Sequence, residues 1–114
     1  MIQKLLNTID SLGFPAYLQG SLTETDKYPG SFFTFWNFQS EETKTFDNEP
    51  VACDWGYWLY FYSTDPLLVE SVPLQAKELL KAEGFEVWGK GEDVNSDVIT
   101  HTGRMITIYY HEQY

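Results

Sequence analysis

The sequence predicts an α+β domain in which two helices pack on a mainly antiparallel sheet of four to five strands. Two segments, near residues 2–12 and 66–83, repeat their apolar residues at helical spacing. Segments near 31–38, 51–63, 85–88 and 102–111 are rich in aromatic and β-branched residues, the composition of strands. The chain has 114 residues. That length suits one domain spanning 1–114, able to bury roughly two thirds of its unfolded surface.

Each element follows from local chemistry. Ile2, Leu5, Leu6, Ile9 and Leu12 form one stripe on a short helix, which Gly13 and Pro15 close. Ala16–Gln19 reads as a short edge strand, and residues 20–30 read as a polar loop ending in a Pro-Gly turn. In Ser31–Phe38, Phe32, Trp36 and Phe38 share one parity while Phe33 and Phe35 share the other, which predicts a central strand covered on both faces. Gln39 to Pro50 is polar and reads as a mobile acidic hairpin loop.

In Val51–Ser63 the odd positions (Val51, Cys53, Trp55, Tyr57, Leu59, Phe61) have the character of core. The even positions include Trp58, Tyr60 and Tyr62, apolar in body and polar at the tip. They suit a half-wet surface or a subunit interface. Asp65-Pro66 is an N-cap followed by proline at the first helical position. The helix then carries Leu68, Val69, Val72, Ala76, Leu79 and Leu80 to a stop at Gly84, with Pro73 predicting a kink or two abutting helices. Phe85–Trp88 starts a strand and Gly89–Asp97 reads as a loop. Thr102–His111, with Ile106, Ile108 and Tyr110 on one parity, reads as the closing strand.

Seven Lys and Arg against seventeen Asp and Glu leave a net charge of −10. That sign opposes any general affinity for DNA, RNA or anionic lipid. The single cysteine, Cys53, excludes an internal disulfide framework and a multi-cysteine zinc site. No stretch approaches the length of a membrane span, and Met1–Leu6 lacks the pattern of a signal peptide, which sets the expectation of synthesis in the cytoplasm.

The chemical motifs are incomplete. Asp93-Val94-Asn95-Ser96-Asp97 starts like a calcium loop, but Val98 stands where the turn needs glycine and Arg104 where a bidentate carboxylate belongs. An Asx-rich turn is the better account. Gly89-Lys90-Gly91 lacks the spacer and the Ser or Thr of a phosphate loop. Cys53 at a core-parity position is inert packing, and neither His101 nor His111 has a second ligand at metal spacing. No cofactor or catalytic residue is expected. The acidic runs at 41–54 and 83–97 suit solvated faces, DNA mimicry, docking of a basic partner, or a lining that repels nucleic acid.

Three segments carry a family resemblance: Tyr57–Pro66, then Leu79–Phe85, then Gly89-Lys90-Gly91 through Ser96-Asp97 to His101-Thr102-Gly103-Arg104. With the leading helix and the aromatic strand, they resemble the small tail-completion proteins, tail terminators or head–tail joining proteins, of long-tailed bacteriophages and prophages. The resemblance covers most of residues 1–111. It implies a non-enzymatic virion protein, assembled in the bacterial host cytoplasm as a ring, commonly a hexamer. Its partners would be copies of itself and the tail-tube and neck or connector proteins, with no membrane and no specific nucleic acid, and with DNA passing through the ring.

On that footing Trp58, Tyr60 and Tyr62 are candidates for subunit contact. Glu41, Glu42, Asp47, Glu49, Glu92, Asp93 and Asp97 are candidates for an acidic rim or lumen. The rival from another class is an acidic inhibitor, either an immunity protein or a DNA-mimic antirestriction protein. It would be monomeric or dimeric and bind one basic enzyme.

Overall fold

A computed structural model describes residues 2–18, 29–44, 49–95 and 100–113. The elements run α1 (Ile2–Asp10), β1 (Ala16–Leu18), β2 (Ser31–Lys44), β3 (Pro50–Ser63), α2 (Pro66–Ala82), β4 (Glu86–Asn95) and β5 (Thr102–Gln113). The strands form one sheet in the order β1-β2-β3-β5-β4. Among the described residues only the β1–β2 pair is parallel. This is the α+β architecture that the sequence predicts. Among the described residues no helix is long and apolar enough to cross a membrane.

Both helices lie on the same face of the sheet. Leu5 and Ile9 of α1 and Val72, Ala76 and Leu80 of α2 join Phe33, Leu59, Phe61, Ile106 and Ile108 in one buried cluster. The helix termini follow their caps. The Leu67 backbone N–H donates to Asp65 Oδ1 at 3.0 Å, and Pro66 opens the helix. At the other end Gly84 turns at φ 93°, and the Phe85 N–H donates to the Leu80 carbonyl at 2.9 Å. That 6→1 closure drops Phe85 into the core. α2 is a single 17-residue helix with Pro73 inside it and buried, not two abutting helices. Pro73 offers no N–H to the Val69 carbonyl, but the burial of the apolar face on both sides of it holds the segment in one piece.

Three further expectations are corrected. Gln39–Lys44 is strand rather than loop: β2 and β3 are each 14 residues long and pair as a long hairpin, and the whole chain measures 53 × 29 × 22 Å. Gly89–Asn95 is also strand, because β4 passes through a bulge between Trp88 and Glu92 and pairs again with β5. Val51 does not face the helices. It is 41% exposed, at the end of β3 that projects beyond the core. The start of β2 is covered on both faces, as expected: Phe33 and Phe35 are buried under the helices and Phe32 and Thr34 are buried on the other face, until Trp36, which is 46% exposed.

Candidate functional site

Strand parity puts a continuous aromatic surface on the face that the helices leave open. Trp58 pairs across with Trp36 of β2, Tyr60 with Thr34 and Tyr62 with Phe32, so these side chains project to the same side. On the other flank, Tyr60 pairs with Met105 and Trp58 with Thr107, and Tyr109 and Trp88 continue the surface toward β4. The sequence-predicted Trp58, Tyr60 and Tyr62 all lie here, each half-buried. Trp36, at 46%, and Trp88, at 60%, are the most exposed rings of this face.

Two glycines let the rings lie down. A β-carbon at Gly103 would stand 2.5 Å from the Tyr62 ring, and one at Gly56 would stand 2.7 Å from the Phe38 ring. Phe38 reaches Gly56 because a bulge between Asn37 and Gln39 puts one extra residue on β2. Asn37 pins that bulge by donating from Nδ2 to the carbonyls of Gln39 at 2.8 Å and Gly56 at 2.9 Å. Phe38 then stacks on Trp58 with centroids 4.9 Å apart, and Tyr60 and Tyr62 lie parallel at 6.1 Å. The result is a contiguous aromatic pavement of stacked and edge-to-face rings. Sequence parity identifies the alternate residues, but the part played by Phe38, Gly56 and Gly103 depends on the bulge and the register, which no periodicity announces.

The acidic candidates do not form one patch. Glu41 pairs with Asp54 near the tip of the long hairpin, and Glu42 and Glu49 are exposed beside it. Glu92 and Asp93 pair with Met105 and Arg104, which lie beside Tyr60 and Phe61 of β3. The two groups are therefore roughly 20–25 Å apart along the sheet at ~3.3 Å per residue. Asp47 and Asp97 lie outside the described residues. The Asp93 carboxylate bonds Arg104 at 3.1 Å, an exposed pair that contributes little to stability. Asp93 and Asn95 thus stand in β4, and Arg104, which breaks the calcium pattern, is the partner of its first residue.

Cys53 and His111 stand one register step apart on β3 and β5 but on opposite faces, and His101 lies near the far end of the sheet. Cys53 is buried on the helix side of β3. His101 is buried against the Phe32 ring, with Nε2 2.8 Å from the Pro29 carbonyl. His111 is exposed and contacts Asp54 through Nδ1. Burial pushes the Tyr57 phenol above its usual range, and neighbouring Cys53 and Glu112 reinforce that direction. Among the described residues no three His, Cys, Asp or Glu side chains converge in a metal-binding group. Compared with protein-family models and with curated proteins, the chain matches none.

Proposed function

We propose that this chain is a non-enzymatic structural protein of a long-tailed phage or prophage particle, a tail-terminator or head–tail joining subunit that assembles as a ring. The single observation that carries this reading is the contiguous aromatic pavement on the sheet face away from the two described helices. Large apolar rings with polar tips tolerate water in a free monomer and supply most of the contact energy once covered. In this reading Trp58, Tyr60 and Tyr62 meet the neighbouring subunit. The net charge of −10 suits a ring through which DNA passes without adhering. With the two acidic ends set apart on the sheet, the hairpin tip and the β4 end would serve different levels of such a ring.

Deleting the gene from its parent phage or prophage tests the proposal. The expected result is unjoined heads and tails, or tails of uncontrolled length. Normal infectious particles would overturn it. Tight binding of the purified protein to a nuclease would put the inhibitor reading in its place.

A further inference from the structure

β4 begins its pairing with β5 at Glu86↔Tyr109, whereas β5 continues beside β3 as far as Gln113. Past Tyr109, the outer edge of β5 therefore has no strand against it among the described residues. The cause is the path of the chain. Gly84 turns at φ 93°, and Phe85 is drawn down into the core, so the backbone approaches the sheet only at Glu86. Where a longer β4 would have lain, there is a cleft of about 410 Å³.

The lining of this cleft is chemically one-sided. Trp88 and Tyr109 form an aromatic corner, with centroids 5.7 Å apart. The carboxylates of Asp54 and Glu86 border the same space beside the His111 imidazole, and among the described residues no lysine or arginine does. Asp54 holds His111, yet a carboxylate has lone pairs enough to accept further donors. No hydrogen bond or ion pair engages the Glu86 carboxylate among the described residues.

We propose that this cleft receives an arginine side chain from an extended segment of a partner protein, and that the segment's backbone pairs with the free edge of β5 at residues 110–113. The planar guanidinium stacks on an indole face and donates in a fork to carboxylates, matching both kinds of wall. Exposed ion pairs alone hold a free cation weakly. The adjoining strand edge supplies main-chain hydrogen bonds, and in strand addition the side-chain pocket then sets specificity. The inference does not depend on ring assembly: the cleft shares Trp88 and Tyr109 with the margin of the pavement, but its carboxylates and the β5 edge are not part of the contact assigned to Trp58, Tyr60 and Tyr62.

The test titrates the isotope-labelled protein with a capped pentapeptide, Thr-Val-Arg-Val-Thr, followed by NMR. Two further probes are the same peptide with citrulline for arginine, and N-acetylarginine amide alone. The arginine peptide is expected to shift the Trp88 indole and the amides of 110–113, and to bind roughly tenfold or more tighter than either of the other probes. Glu86→Gln and Trp88→Ala, both at exposed positions, should each weaken it by about the same factor while the amide spectrum stays folded. Three results would overturn the proposal: no shift at millimolar peptide, equal binding of the citrulline peptide, or equal binding of N-acetylarginine amide, which would make this a site for free cations.

Discussion

Leu59→Ala is expected to lower the stability of the protein by about 2–5 kcal/mol, because it opens a hole where the helices meet the sheet. Leu59 is 2% exposed, at the middle of β3, with Phe35 across from it on β2 and Ile106 on β5. Its neighbours in the cluster include Phe61, Val72 and Ala76, side chains held by regular elements on every side, so the cavity cannot collapse freely. Denaturant unfolding followed by tryptophan fluorescence measures the loss. A loss well under 1 kcal/mol would mean that the odd positions of β3 do not face the helices.

Gly91→Ala is expected to cost about 1–3 kcal/mol or more, for two separable reasons. Gly91 sits at φ 94°, a backbone conformation that side chains disfavour. An added β-carbon would also stand 2.8 Å from the Met105 carbonyl oxygen, which is backbone of the paired strand and cannot swing aside. Gly89, two residues earlier in the same bulge, has φ 68° and open space where its β-carbon would go. Gly89→Ala is therefore expected to cost only about 1 kcal/mol, from the backbone conformation alone. Thermal unfolding of the two variants side by side reads the difference. Equal losses would mean that β4 does not close against Met105 in the register described.

The glycine pair that causes this contrast also explains why β4 is only half legible in the sequence. Gly89-Lys90-Gly91 has the punctuation of a loop. Here the same residues make a bulge, after which pairing resumes at Glu92↔Met105. Gln39–Lys44 is misleading for a different reason. Residues 40–43 are exposed while their partners on β3 are buried or half-buried, so this length of strand is held by pairing and carries Ser, Glu and Thr. Val51 fails as a core-parity residue past the end of the core.

The legible parts are those where burial and local chemistry agree. The alternation of Tyr57, Leu59 and Phe61 finds the core, and Asp65, Pro66 and Gly84 bound α2. Aromatic residues at both parities of β2 imply cover on both faces, yet the helices cover only one. Phe32, Trp36 and Phe38 belong instead to the pavement, packed by other rings: Phe32 by Tyr62, and Phe38 by Trp58 and Tyr109. Sequence alone identifies the residues of this surface. It does not reveal that the two described helices pack together on one side of the sheet and leave the rings to the other.

Hydroxyl-radical footprinting of purified parent particles, set against the free protein, tests most directly whether the pavement is a contact surface. The expected result is that Trp58, Tyr60 and Tyr62 oxidise readily in the free chain and several-fold more slowly in the particle, as rings do when a neighbouring subunit excludes water from them. Oxidation of these three residues at the same rate in both states, or the absence of the protein from the particles, would contradict the account.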